Sequence, residues 1–347
     1  MSIEELSERE RRVLEAVILS YVETAEPAGS RTLSKRFGLG VSPATIRNTM
    51  SDLEEKGFLF HPHTSAGRIP TDAAYRVYVD SLLRLPPVST QLREKLAEEL
   101  SHGRGSAIET ILRRAAQTLG VLTQELGVAL GPRLDTTELQ RLELVRASSD
   151  RLLMVLTLRG GVMRTIFVEV KGEIADEALA EVAVVLNERL AGLPLSEIRA
   201  SLGARLRDTA VKGDSQELLN IFVQEREQLF DGLPLEGNSV VLGQAAMLAE
   251  QPEFATGESM RKLIDLTDTP QRLAELLRRR GPTPGISITI GNEHGDPRMG
   301  DFTVVTAEYR AGSLTGVIGV IGPTRMPYDK VISLVNHTSN LLTDLLE

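Results

Sequence analysis

Apolar positions recur at helical spacing along the first quarter of the chain and as extended runs towards its C-terminal end. From Leu6 to about Glu23, the residues Val13, Leu14, Val17, Ile18 and Tyr21 form one helical stripe. Glu26-Pro27-Ala28-Gly29 breaks it. Ser30 can cap a second, short helix carrying Leu33 and Phe37, and Gly38-Leu39-Gly40 turns the chain into a third. This third helix has a clear start. Ser42 serves as N-cap, its hydroxyl able to accept from a first-turn amide, and Pro43 takes the first helical position, where a missing N–H costs nothing. Ile46, Met50 and Leu53 make its buried stripe, while Ala44, Arg47, Asn48 and Ser51 fall on the outward face. Gly57 closes it as a left-handed terminator. Phe58-Leu59-Phe60 then reads as a strand, followed by HPHTSAGRIPTD, a polar turn with Gly67 and Arg68 between short extended segments.

Tyr75, Tyr78 and Val79 share one face of the next helix, which predicts core packing rather than a stacking platform for bases. Leu85-Pro86-Pro87 stops that helix and marks a boundary. Residues from Thr90 to about Leu126 read as helical, and Gly131-Pro132 punctuates. Extended runs at 152–158 and 162–170 flank Arg159-Gly160-Gly161 as a β-hairpin. Helix returns at Ala178–Leu190, and residues from about Leu195 to Arg280 read mostly helical. Strands resume at 286–290, 302–309 and 316–322, before a last helix from Tyr328 to Leu346. The glycines of 316–322 do not have phosphate-loop spacing and predict close backbone approach instead. The fold class is α+β and multidomain, as a length of 347 residues suggests.

A helix with a polar outward face, followed by a hairpin with an arginine at its tip, is the layout of a winged helix-turn-helix that reads double-stranded DNA. Arg47 suits guanine and Asn48 adenine in the major groove. Arg31, Lys35 and the hydroxyls of Ser42 and Thr45 would position the protein on phosphates, with Pro43, Ala44 and Ser51 on the same face. His63, Thr64, Ser65 and Arg68 would place the wing on the backbone or in the minor groove. Charge is consistent with this. The window from Gly29 to Pro70 holds six basic residues (Arg31, Lys35, Arg36, Arg47, Lys56, Arg68) against Asp52, Glu54 and Glu55, an excess of three in a chain of net charge −9.

The stretches GSRTLSKRFGLGVSPATIRNTMSDLEEKGFLFHPHTSAGRIPTDAAYRVYVDSL, LEGNSVVLGQAAMLAEQPEF and GVIGVIGPTRMPYDKVISLVNHTSNLL resemble the HrcA family of bacterial heat-inducible transcription repressors. The most specific part is PHTSAGRIPTD with Tyr75-Arg76-Val77-Tyr78-Val79 after it. Thr49, where the family more often has an acid, and His61 are small departures. The resemblance implies three domains: a winged helix-turn-helix over 1–85, a discontinuous GAF-like α/β domain over 90–192 and 281–347, and a mainly helical inserted dimerisation domain over 193–280. It also implies a homodimer on the inverted repeat called CIRCE, repression of chaperone operons, and activity supported by the GroEL chaperonin.

Other chemistries find little support. With no cysteine there is neither a disulfide nor a thiolate metal site, and a reduced cytoplasmic setting is expected. The histidines are scattered, without metal-ligand spacing or a nucleophile-and-base pattern, so no metal, cofactor or catalytic residue is assigned. Asn292-Glu293-His294-Gly295-Asp296 reads as a loop between strands. No apolar run reaches membrane-span length. The alternative reading is a small-molecule-sensing transcription regulator that uses the GAF-like domain.

Overall fold

The computed structural model describes residues 6–63, 67–101, 108–132, 134, 137–159, 163–170, 172, 174–209, 211–230, 240–279, 285–312 and 314–346. In chain order the first elements are helices α1 (Glu8–Thr24), α2 (Ser30–Phe37) and α3 (Pro43–Glu55), the two-residue strands β1 (Leu59–Phe60) and β2 (Ile69–Pro70), and helix α4 (Asp72–Val77), which a π-helical turn extends through Leu82. Then follow α5 (Thr90–Ser101), α6 (Ile108–Thr123) and β3 (Leu126–Leu130). Next come β4 (Leu139–Arg146), β5 (Arg151–Leu158), β6 (Met163–Glu169), α7 (Asp176–Leu190), α8 (Leu195–Arg205), α9 (Asp214–Gln224) and α10 (Arg226–Leu229). The remainder is β7 (Val240–Leu242), α11 (Ala246–Ala249), α12 (Gly257–Thr267), α13 (Pro270–Arg279), β8 (Ile286–Ile290), β9 (Phe302–Ala311), β10 (Leu314–Pro323) and α14 (Tyr328–Leu346). The chain is a mixed α+β molecule of more than one unit, as expected.

One compact unit comprises residues 1–130, 240–309 and 317–345. It contains the N-terminal helices and a five-stranded sheet of order β7-β3-β10-β9-β8. In that sheet β3 runs antiparallel to both β10 and β7, and β8 antiparallel to β9. Leu126, Val128 and Leu130 of β3 join Leu263, Leu273, Leu277 and Phe302 in its core. The close approach foreseen at the β10 glycines is real: a Cβ at Gly319 would lie 2.1 Å from the Val305 carbonyl oxygen. Tyr75 and Tyr78 are buried, and Tyr75 packs 5.7 Å from Tyr328, ring centre to ring centre.

The second unit comprises residues 131–239 and 310–316. Its sheet has the order β4-β5-β6, antiparallel throughout, with α7 to α10 following it in the chain. Leu142, Leu152, Met154, Leu156 and Val168 face Leu179, Val182, Leu186, Leu218 and Phe222. Asn187 of α7 closes the open edge of β4, accepting from the Leu142 N–H and donating to its carbonyl, at 2.8 and 2.7 Å.

These boundaries differ from the expected ones at 193 and 280. The hairpin at 151–169 pairs with β4, so it belongs with segment 131–239, which has a sheet of its own beside its helices. The helices after Val240 belong instead with the five-stranded sheet. The sequence pattern also assigns no separate strand to β3, β4 or β7.

Candidate nucleic-acid interface

Helix α3 starts and ends as its sequence dictates. The Ser42 hydroxyl accepts from the Thr45 amide at 3.1 Å, and Pro43 opens the first turn. At the other end Gly57 takes φ +76°. Its N–H reaches the Glu54 carbonyl at 2.9 Å, and that of Phe58 reaches Leu53 at 2.9 Å, the double bond of a Schellman terminator. Ile46, Met50 and Leu53 are buried, and so is Thr49, whose hydroxyl donates back to the Thr45 carbonyl. Ser42, Pro43, Ala44, Arg47 and Asn48 are exposed, and Thr45 and Ser51 half-exposed. The predicted phase is therefore the observed one. Two hydroxyls proposed for phosphates are already engaged, since Ser42 Oγ also lies 2.9 Å from Thr45 Oγ1. Helix α2 starts one residue earlier than expected: Gly29 is its N-cap, without a side-chain bond, and Ser30 lies inside the helix.

Of the six basic residues in this window, three have acidic partners. Arg36 pairs with Glu23, Lys56 Nζ lies 2.7 Å from Glu10 Oε1, and Arg68 Nη2 lies 2.8 Å from Glu54 Oε2. Arg31, Lys35 and Arg47 are exposed, and their side chains have no ion-pair or hydrogen-bond partner among the described residues. They lie on α2 and α3, the surfaces the sequence singled out.

Arg68 departs from its expected place at an open tip. Its side chain is only 12% exposed and turned onto Glu54, and its Nε has no partner among the described residues. Its backbone forms a bridge with Ala28, with N–H to O distances of 2.9 and 3.0 Å in the two directions. Gly67 makes this approach possible, since a Cβ there would lie 2.3 Å from the Ala28 carbonyl oxygen. Glu54 also takes His61 Nδ1 at 2.6 Å. One α3 carboxylate thus holds both limbs of the ribbon, a role the sequence reading missed because nothing in the spacing pairs 54 with 61 and 68. His63 is exposed; Thr64 and Ser65 lie outside the described residues.

The same unit ties these elements to its sheet. Arg76 of α4 donates to both carboxylate oxygens of Glu293, at 2.8 and 2.5 Å, and to the Ile288 carbonyl at 2.8 Å. Asp72 accepts from the Asn292 backbone and side-chain amides at 3.0 and 2.9 Å. Arg325 pairs with Glu253 and donates to the Val22 carbonyl of α1 at 2.6 Å. The polar loop 292–296 foreseen between strands forms short 3-10 turns and serves this attachment.

A family profile described as "HrcA protein C terminal domain" matches residues 109–332. The heat-inducible transcription repressor HrcA of Chlorobium phaeobacteroides (strain BS1) is 38% identical over 356 aligned positions, covering 100% of both chains. The chain belongs to the HrcA family. The HrcA repressor of Geobacter sulfurreducens is likewise 38% identical, with 99% of each chain covered. Members of this family are transcription repressors and not enzymes. A crystal structure of a hypothetical protein at 2.2 Å resolution shares the fold, with TM-score 0.58, 23% identity and 99% of each chain covered. No described helix of this HrcA-family chain is long and apolar enough to cross a membrane.

Proposed function

We propose that this heat-inducible transcription repressor of the HrcA family acts as a homodimer in the cytoplasm and binds the CIRCE inverted repeat at chaperone operons, with the GroEL chaperonin keeping it active. In this reading α1 to α3 and the β1–β2 ribbon form a winged helix-turn-helix, and the five-stranded sheet with its helices is the GAF-like domain. The observation that carries it is the set of side-chain cations without a partner among the described residues, Arg31, Lys35 and Arg47, beside the exposed Asn48 on α2 and α3. Arg47 and Asn48 would read guanine and adenine edges, while Arg31 and Lys35 hold phosphates. The short side chains of Pro43, Ala44 and Ser51 let the helix approach closely. Ser42 and Thr45 serve the cap first and present what remains of their hydroxyls to phosphate. His63, Thr64 and Ser65 would carry the wing contact, with Arg68 holding the wing to α3.

Dimerisation is assigned to the second unit. The outer face of its sheet has a cross-strand row of Val145, Leu153 and Phe167, with Met163 further along β6 on the same face; Val145 is 49%, Phe167 58% and Met163 68% exposed. An apolar row of this kind is a natural self-association face. The chaperonin's part rests on family membership.

The test is binding of the full chain to a CIRCE duplex and to a scrambled duplex over a salt series, with and without chaperonin. The expected result is preference for the repeat, strengthened by chaperonin. Equal and steeply salt-dependent binding to both duplexes would mean phosphate attraction alone and would overturn the reading.

A further inference from the structure

A cleft of about 580 Å³ opens within the first unit, between the N-terminal elements and the end of the five-stranded sheet. Tyr21 of α1, Phe60 of β1, and Asp72 and Tyr75 of α4 form one side. Glu253, Phe254, Glu258, Lys262, Asp301 and Arg325 form the other.

Two independent features point to a ligand. The first is Tyr75, which is 1% exposed and whose hydroxyl finds no partner among the described residues. Buried hydroxyls are seldom left unpaired. Burial pushes this phenol well up, Tyr328 and Tyr21 add to the effect, and Arg325 opposes it. Tyr75 itself lines the cleft, together with Tyr21 and Arg325. The second is the balance of charge and rings. Lys262 is matched by Asp301 at 2.5 Å, and Arg325 by Glu253. Asp72 and Glu258 remain as excess carboxylates; among the described residues the first accepts only amide bonds from Asn292, and the second is 85% exposed and 3.9 Å from the already paired Lys262. Four aromatic rings, those of Tyr21, Phe60, Tyr75 and Phe254, line the same space. Excess negative charge beside aromatic rings favours a cation, and a phenol oxygen can accept from an ammonium N–H.

We propose that this cleft is an effector site for a small organic cation, an ammonium group on an apolar body, held by the Tyr75 hydroxyl, the Asp72 and Glu258 carboxylates and the surrounding rings. Its two sides come from the proposed DNA-reading elements and from the sheet that anchors them. Occupancy is therefore coupled to how the reading elements are held, a consequence that rests on the DNA-binding proposal. Binding itself does not.

The experiment is calorimetric titration of the full chain, without DNA, with phenethylammonium, neutral 2-phenylethanol and anionic phenylacetate. These share one apolar body and differ in charge. The expected order is phenethylammonium first, by about tenfold over the alcohol, with no heat from the acid. Tyr75→Phe and Glu258→Gln should each weaken amine binding severalfold while leaving the thermal midpoint at or above that of the parent, since one hydroxyl is unpaired and the other side chain is in solvent. Absence of amine binding, equal binding of the three probes, or amine binding indifferent to both substitutions would overturn the proposal. Because DNA is absent, failure here leaves the repressor reading standing, and failure of operator binding leaves this one standing.

Discussion

Arg47 and Arg68 are arginines that the sequence offers to the recognition helix and to the wing, and the structure treats them differently. The Arg47 side chain stands exposed without a partner among the described residues, whereas Arg68 is shielded against Glu54. Arg47→Ala should cost about 1–3 kcal/mol of operator binding and relax preference at one base position. Titration against a panel of single-base operator variants would check this; uniform weakening over all sequences would reassign Arg47 to phosphate. A second residue-scale effect concerns Glu10. Burial alone would raise its pKa, but the Lys56 ammonium at 2.7 Å and the bonds from the Ser7 amide and hydroxyl outweigh burial and leave the pKa lowered. A carboxyl depressed in the folded state stabilises fully above its unfolded pKa and loses that contribution as pH falls through its folded one. Thermal midpoints should therefore drop on acidification through and below the ordinary carboxylate range. Glu10→Gln should lose about 1 kcal/mol at neutral pH, the order of one intramolecular hydrogen bond, and show a shallower acid decline.

At the scale of elements, the ribbon is a dependent structure. Strands β1 and β2 contribute two residues each, too few to stand alone in water. They persist because Ala28 adds a third strand-like pairing at Arg68 and because Glu54 of α3 takes both His61 and Arg68. The closeness at Gly67 is essential to this. Gly67→Ala would drive a methyl into the Ala28 backbone, which cannot yield as a side-chain end would, at about 1–3 kcal/mol. Hydrogen exchange at the Ala28 and Arg68 amides should accelerate. Gly257→Ala is the matching control, because a Cβ there meets nothing within 4 Å, and it should be neutral or slightly stabilising.

At the scale of the whole molecule, an inverted-repeat operator requires two-fold symmetry in the protein. The apolar row across β4, β5 and β6 is where we place it. Phe167→Arg, at a position 58% exposed, leaves the core of the second unit untouched. It should convert the dimer to monomer in light scattering and weaken binding to the full repeat much more than to a half-site. A dimer of unchanged mass in this variant would move the interface elsewhere.

Much of the N-terminal region was legible because its signals are local. Ser42-Pro43 starts α3, Gly57 ends it, and the phase of Ile46, Met50 and Leu53 decides which face Arg47 and Asn48 occupy, all within a few turns of chain. The last helix and the strands of 286–322 were legible for the same reason, and the family followed from motifs at both ends. The strands missed by reading the sequence fail that test of locality. Leu126–Leu130 is buried at every position, so it shows no alternation, and it is a strand because β10, nearly two hundred residues later, and β7 pair with it. Residues 139–146 form a strand through pairing with β5, and the edge they leave is closed by Asn187. The unit boundaries, the turning of Arg68 onto Glu54 and the unpaired Tyr75 hydroxyl likewise belong to tertiary structure. Composition and periodicity determine which residues seek burial or a partner; only the folded chain determines which partner each one meets.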